Sequence, residues 1–404
     1  MKIIVLKFGG TSVGTTGRIK KVANIIVSYV KNGYKVIVVS SAMSGVTNDL
    51  IKKSRNISNN FNPSERDVLL AAGEQMACAL IAGRLNHIGY KSQSWMRWQV
   101  PILTEGGYSS SRISKIDKKK IINYLKSGGI PIVTGFQGIN NNNRITTLGR
   151  GGSDASAIMC AKFFKAKKCV IFTDVEGVYT TDPNNLKNAK KIKIISYEEM
   201  LEMASLGAKV MQPISIQDAR LNRIEIDVKS SFVNREGTVI TKKKNIFRNR
   251  TITGLTSTKN DAKVTLVGVK DKPGVAASVF KPLSQNYVNV DMVVQTSSSN
   301  NRETDITFTI KSDDLSKTLR LIKQNKKIQY RDLIVNKNVS KVSIIGVGMV
   351  TTPGVTYRMF QTLASKGINI LVISTSEIKI SVLIDKKNIK KALSALHKEF
   401  KLNS

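Results

Sequence analysis

The stretch KVTLVGVKDKPGVAASVF, which starts at Lys263, returns in altered form as KVSIIGVGMVTTPGVTYRMF from Lys341. Gly268 matches Gly346 at an offset of 78, whereas Pro273, Phe280 and Asn289 match Pro353, Phe360 and Asn369 at 80, so the copies differ by a two-residue insertion in the first turn. A duplication of this length constrains the fold strongly, because each copy must be one supersecondary unit that packs against its twin. Each reads strand, Pro-Gly at a helix start, helix, strand, strand, helix, which is the βαββαβ plan. The second copy runs out: after a helix around 388–400 only residues 401–404 remain, too few for a sixth strand. TITGLTS, residues 251–257, is therefore expected to supply that strand from ahead of the first copy, interlocking the two modules.

The chain before the duplication has a different rhythm. Ile3-Ile4-Val5-Leu6 is a short apolar run, and residues 15–32 place Ile19, Val22, Ile26 and Val30 on one helical face that Gly33 closes. Lys35-VIVV-Ser40 then reads as a strand buried on both faces. Strand, helix, strand in this order gives a right-handed βαβ unit on a parallel sheet. Strands at 130–135 and 169–174 around a helix at 155–164 continue the pattern, so an α/β fold with a mainly parallel central sheet is expected over 1–240. A linker at 241–262 and modules at 263–336 and 337–404 complete the expected domains.

Composition excludes more than it identifies. The formal net charge is +36, from 64 Lys+Arg against 28 Asp+Glu. The lysines are scattered, without a dense stripe interleaved with aromatics, so no nucleic-acid partner is expected. No run approaches a membrane span and the start lacks a signal pattern, so no membrane partner and a cytoplasmic location are expected. Cys78, Cys160 and Cys169 show no C-x-x-C spacing and are read as small buried side chains in a reducing compartment, with no protein metal site.

Three turns carry the chemistry. In KFGGTS, from Lys7 to Ser12, Gly9 and Gly10 let the backbone approach a polyanion and Lys7 adds a charge, yet the stretch is neither a P-loop nor a dinucleotide fingerprint. SSAMSGVTN follows the 35–40 strand. LGRGGSDAS, residues 148–156, runs into a helix. There Gly151, Gly152 and Ser153 offer donors at a helix N-terminus, Asp154 stands in the first turn, and Arg150 offers a planar fork suited to carboxylate or phosphate. Donor-rich turns at the carboxyl ends of several strands describe a binding crevice.

These residues are recognisable together. KFGGTS, SSAMSGVTN, GRGGSD, FTDVEGVYTTDP and EMASLGAKV, in this order, resemble the amino-acid kinase family in its aspartate kinase branch, and the duplicated tail resembles that branch's pair of ACT modules. The resemblance spans essentially the whole chain. It implies an amino-acid-kinase-like sandwich followed by two ferredoxin-like modules. It also implies transfer of a phosphoryl group from ATP, with Mg2+, to the side-chain carboxylate of L-aspartate, giving 4-phospho-L-aspartate, the first step towards lysine, threonine and methionine. Phosphoryl transfer to an anionic carboxylate needs alignment and charge neutralisation rather than a strong base.

Carried over position by position, the resemblance puts Lys7 and Gly10 at the transferring phosphoryl group, with Gly9 beside them, and Asp154 in an orienting or electrostatic role. Ser41 and Thr47 would line the aspartate pocket, Glu74 would take the substrate ammonium, and Arg150 with Ser153 would clamp its α-carboxylate. Thr173, Asp174, Tyr179 and Asp182 would hold the nucleotide, and Lys209 its phosphates. In the ACT modules, Asp271, Gly274, Asp291, Gln295, Asn369 and Ile370 are the implied contacts for lysine, threonine or both. The same resemblance implies a homo-oligomer paired through these modules and leaves open a separate short regulatory chain. Thr351 and Leu371 replace Asp271 and Asp291 in the second copy, so the copies are not expected to be equivalent sensors. Asn184, Glu176, Ala155 and Gln212 depart from the family pattern, and none of them falls on Lys7, Glu74, Arg150 or Asp154.

Overall fold

The computed structural model describes residues 1–208, 210–242, 251–297, 303–325 and 327–403. They divide into two compact units: one holds the chain up to Tyr179 and again from Lys191, the other holds Thr180–Lys190 and the C-terminal part.

The first unit is built on an eight-stranded sheet in the order Ile194–Ser196, Thr238–Thr241, Ile226–Ser230, Cys169–Thr173, Ile3–Phe8, Lys35–Ser40, Ile130–Thr134 and Ser92–Trp95. All neighbours are parallel except the pair formed by Ile226–Val228 and Thr238–Ile240. Ile3–Phe8 is buried along its whole length, as a parallel strand covered on both faces must be. On one side the helix Thr16–Lys31 is capped by the Thr15 hydroxyl, which accepts from Arg18 N at 3.2 Å, and buries Ile19, Val22, Ala23 and Ile26. The rings of Phe8 and Phe172 stack at 4.8 Å within the same core. A smaller sheet joins Arg112–Ile116, Ile102–Glu105, Gln137–Ile139 and Ile145–Thr147.

The helix Pro63–His87 corrects the expectation that no segment approaches a membrane span, since its 25 residues are long and apolar enough to cross one by length and composition. Its place in the fold accounts for that composition. It packs on the strand Ser92–Trp95 and the helix Thr16–Lys31, and its buried face includes Asp67 and Glu74.

In the second unit one antiparallel six-stranded sheet runs Val290–Ser297, Glu303–Lys311, Gly254–Lys270, Asp332–Ile345, Lys379–Asp385 and Val372–Ser376. The two long central strands each serve both copies. Gly254–Thr258 pairs with Lys341–Ile345, whereas Lys263–Val267 pairs with Asp332–Asn336, with register breaks between. Part of the expected linker is thus the first half of a continuous strand; residues 243–250 lie outside the described residues. Two apolar cores follow. Ile252 and Leu255 pack with Val342, Met359 and Leu393, while Val264 and Leu266 pack with Val279 and Phe308.

Gly346 shows how close that pairing is. A Cβ there would lie 2.2 Å from the Thr251 carbonyl oxygen and 2.7 Å from Ile252 Cα, both backbone atoms that cannot rotate away. Gly346→Ala should therefore destabilise the protein by about 1–3 kcal/mol and lower its melting temperature by several degrees. Gly17→Ala, whose Cβ would meet only Thr15 Oγ1 at 3.8 Å, is the control. Equal melting of both variants and the parent would remove the case for tight pairing at 251–252.

The assignment of Thr180–Lys190 to the second unit differs from the expected boundary at residue 240. The Thr180 carbonyl accepts from Leu255 N at 2.7 Å, its hydroxyl lies 2.9 Å from His397 Nε2, and Lys259 Nζ donates to Asn185 Oδ1 at 2.7 Å. Burial of the His397 ring pulls its pKa below the usual histidine value.

Candidate active site

Parallel strands place their carboxyl ends on one edge, where the first two glycine-rich turns leave the neighbouring strands Ile3–Phe8 and Lys35–Ser40, while the third leaves Ile145–Thr147 of the smaller sheet. Gly9 N donates to the Phe172 carbonyl at 3.1 Å, and Ser12 N and Val13 N close back on the Gly9 carbonyl at 2.9 and 3.3 Å. The turn after Ser40 is tied to the first: Ser41 N donates to Phe8 O and Ser44 N to Gly10 O, each at 3.1 Å. A Cβ on Gly10 would stand 3.0 Å from the Ala42 carbonyl, so the backbones touch where a side chain would intrude. The third turn ends at Gly151, whose φ of +74° suits glycine, and starts the helix Gly152–Phe163. Gly135 closes the floor: a Cβ there would lie 2.8 Å from both the Ser40 carbonyl and the Ser153 side chain.

Lys7 projects from a buried strand and pairs with Asp154, Nζ to Oδ1 at 2.6 Å, with both side chains about one-tenth exposed (10% and 11%). A charge so shielded from water acts at much lower dielectric than a surface lysine. Glu74 is 3% exposed. Its Oε1 accepts from Ala42 N at 3.1 Å, and its buried Oε2 has no hydrogen-bond partner among the described residues. Burial pushes its pKa up to about 7, against the opposing pull of the Ala42 N–H and the Arg97 charge. A buried carboxylate with one bare oxygen is a receptor for a cation.

One cleft of about 1030 Å³ gathers most of the expected residues: the pocket set Ser41, Thr47, Glu74, Arg150 and Ser153, together with Lys7, Gly10 and Asp154. The expected nucleotide set is not gathered in the same way. Gly9 stands behind Lys7, Thr173 Oγ1 donates to Asp174 Oδ1 at 3.0 Å, and Tyr179 bridges to Lys191. Asp182 belongs to the second unit, where it accepts from Asn184 N at 2.9 Å. Lys209 lies outside the described residues. Of the other departures from the family pattern, Gln212 packs where a Cβ on Gly151 would lie 2.4 Å from its Cγ, and Glu176 pairs with Lys191 and Arg235 at 3.5 Å each.

Sequence reasoning missed Asp67 and Arg66. Asp67 is fully buried and accepts four hydrogen bonds, from N and Oγ of Ser109 at 2.8 and 2.9 Å and from N and Oγ1 of Thr147 at 2.7 and 2.9 Å. It thereby pins the turn that holds Ser109 and the strand Ile145–Thr147 to one helix, and Arg66 adds a donor to Ser109 Oγ at 3.2 Å. The available signal was spacing: Asp67 precedes Glu74 by two helical turns, so both acids share a face.

The phosphates of a nucleotide fit this cradle of Lys7, close-packed glycine turns and lining cations Arg55, Arg66 and Arg150. Among the described residues no group of three or more His, Cys, Asp or Glu could hold a metal ion, so a divalent cation would enter largely on the phosphates' own oxygens.

In the second unit Gly274, with φ of +87°, caps the helix Val275–Gln285, and Asp271 and Asn369 are exposed. Asp291 is engaged by the buried Lys341. Gln295 faces Ile306 across the strand pair, and Ile370 lines a shallow cleft of about 350 Å³ with Lys263, Val294 and Thr296. The matching turn of the second copy, with Pro353, Gly354 and Thr356, lines a cleft of about 550 Å³ with Thr375 and Glu377.

Residues 2–230 match the amino acid kinase family, and residues 264–325 and 342–400 match the ACT domain. The chain is 42% identical over 404 residues to an aspartokinase of Bacillus sp. (strain MGA3), covering all of this chain and 98% of that one. It is 44% identical over 407 residues to the aspartokinase of Pseudomonas aeruginosa, with the same coverage. Among solved structures it superposes on E. coli aspartokinase III in complex with aspartate and ADP, R-state, with a TM-score of 0.79 at 26% identity, over 98% of this chain and 99% of that one. The T-state complex of the same enzyme with lysine and aspartate gives 0.80 at 26% identity, over 99% and 100%.

Proposed function

The chain belongs to the amino acid kinase family, as an aspartokinase carrying ACT domains, and from that premise we propose how its own residues divide the work of phosphorylating aspartate. The observation that carries the reading is the gathering of the buried Glu74 carboxylate, the Arg150 guanidinium and the buried Lys7–Asp154 pair on a single cleft. Glu74 takes the substrate ammonium on Oε2. Arg150 clamps the α-carboxylate and Ser153 supports it. Ser41 and Thr47 orient the side-chain carboxylate towards Lys7. Lys7 stabilises the charge that spreads over the transferring phosphoryl group, and Asp154 holds Lys7 in place. Bound ATP supplies the phosphoryl group, and Mg2+ neutralises part of its charge. Gly9 and Gly10 bring backbone to the phosphates and Lys209 adds its charge to them, while Thr173, Asp174, Tyr179 and Asp182 serve the rest of the nucleotide. The product, 4-phospho-L-aspartate, feeds lysine, threonine and methionine synthesis in the cytoplasm.

Feedback control enters through the second unit, with lysine, threonine or both as effectors, since the superposed E. coli enzyme binds lysine. Among the described residues the six-stranded sheet ends in Val290–Ser297 and Val372–Ser376, whose outer edges are available for pairing with a second copy. Asp291, Gln295, Asn369 and Ile370 lie on or beside those edge strands. ADP release with saturating aspartate should fall at least fivefold with lysine and threonine present singly or together, and Asp291→Ala with Asn369→Ala should relieve it. Undiminished turnover at millimolar levels of both amino acids would remove the effector assignment and leave the catalytic one standing.

A further inference from the structure

Asp67 is 0% exposed, and its two oxygens divide their donors by type. Oδ2 takes the backbone N–H groups of Ser109 and Thr147, at 2.8 and 2.7 Å, and Oδ1 takes the two hydroxyls, both at 2.9 Å. Four bonds fill the accepting capacity of a carboxylate, so this one has none left for a ligand and its role lies in what it holds.

Both residues that it holds lead to Arg150. Thr147 ends the strand Ile145–Thr147, three residues before that guanidinium. Ser109 has φ of +65°, a left-handed conformation that costs a serine energy and persists where its surroundings enforce it. The Ser109 turn also packs on the start of the Arg150 turn. A Cβ on Gly149 would lie 3.0 Å from the Ser109 carbonyl oxygen, and Ser111 N donates to the Thr147 carbonyl at 3.0 Å. On the other side of Asp67, Glu74 belongs to the same helix, two turns further along its buried face. Ser109, Thr147, Gly149, Arg150 and Glu74 all line the cleft, and Asp67 stands behind that wall.

We propose that Asp67 is a positioning residue for the amino-acid substrate: it fixes the turn carrying Arg150 against the helix carrying Glu74. The fork and the carboxylate are then spaced to hold the α-carboxylate and the ammonium of one molecule. The inference rests on the reading that Arg150 and Glu74 bind aspartate. Asp67 itself touches neither substrate nor nucleotide. Without it, two buried N–H groups lose their acceptor and the turn is released, and misplacement of a binding group by about 1 Å can cost about a hundredfold.

The test is steady-state turnover of the full chain under varied L-aspartate and varied ATP. Asp67→Ala should raise KM for aspartate about thirtyfold and hold KM for ATP and the kcat at saturating aspartate within about threefold. A merely structural loss would instead lower the active fraction, and so kcat, with both KM values unchanged; that result would overturn the inference. Asp67→Asn should return KM for aspartate to within about threefold of the parent, because its carbonyl oxygen can take both N–H groups while the hydroxyls turn to accept from its amide. If Asp67→Ala does not yield folded protein, Ser109→Gly suits the positive φ, removes one of the four bonds, and should raise KM for aspartate about fivefold. A parental KM for aspartate in whichever of these folds would overturn the inference. Arg150→Ala separates the two layers. A parental aspartate KM in that variant would overturn the substrate reading itself. A raised KM to which Asp67→Ala adds less than about threefold upholds both, whereas full additivity of the two changes would show that Asp67 does not act through Arg150 and would overturn the proposal.

Discussion

Lys7→Met should lower kcat by about a thousandfold while changing KM for aspartate and for ATP far less. Lys7 is 8% exposed on a fully buried strand, and Asp154 fixes its ammonium at 2.6 Å. The other cations of the cleft, Arg55, Arg66 and Arg150, issue from other elements, and none is bound to Asp154. A positive charge held in a dry wall needs no reorganisation when charge develops on the phosphoryl oxygens, and such preorganised charges carry much of the rate in transfers of this kind. The substitution also strands Asp154 as a buried carboxylate, so part of any loss could come from stability. Lys7→Met with Asp154→Asn removes that complication: it should recover thermal stability without recovering turnover. Turnover within tenfold of the parent in either variant would show that Lys7 is structural.

Glu74→Gln should raise KM for aspartate about a hundredfold and leave KM for ATP unchanged, because it removes one partner of a buried charge pair formed only with the amino acid. The same residue sets a stability signature. Its folded pKa, about 7, lies above the ordinary glutamate value of 4.5. The folded state therefore binds more protons than the unfolded state between those values, and stability falls as pH rises through that window. The free protein should lose on the order of 2–3 kcal/mol between pH 5 and pH 8 from this group alone. Glu74→Gln should flatten that slope in thermal melts of the unliganded protein. Saturating aspartate should protect the parent more at pH 8 than at pH 6, since its ammonium favours the ionised form. A slope unchanged by the substitution would place the titration elsewhere.

Local sequence carried the turns and the strands that launch them, because glycine next to an apolar run has few other uses and the turn residues are contiguous. Glu74 was reached through the family resemblance, and its burial on the helix face beside Ala71 and Gly73 supplies the physical reason, since a buried acid needs a cation. What escaped was long-range. Asp67 is explained only by Ser109 and Thr147, which lie 42 and 80 residues further on and which no helical pattern announces. Arg97 carries no local signal of burial, and only the packing shows it enclosed. Thr180–Lys190 reads as kinase sequence, yet its hydrogen bonds go to Leu255, Lys259 and His397. The repeat announced interlocked modules, but the continuity of Gly254–Lys270 through both could not be read, because the register breaks that let one strand serve two cores involve no special residue type.

The most direct measurement is trapping of acyl phosphate with hydroxylamine, using the full chain with Mg-ATP and either L-aspartate or L-glutamate. The expected result is hydroxamate from aspartate alone, formed at a rate that Lys7→Met lowers through kcat and Glu74→Gln lowers by raising KM for aspartate. Hydroxamate from neither substrate, in folded protein that binds ATP, would contradict phosphoryl transfer to aspartate in this cleft.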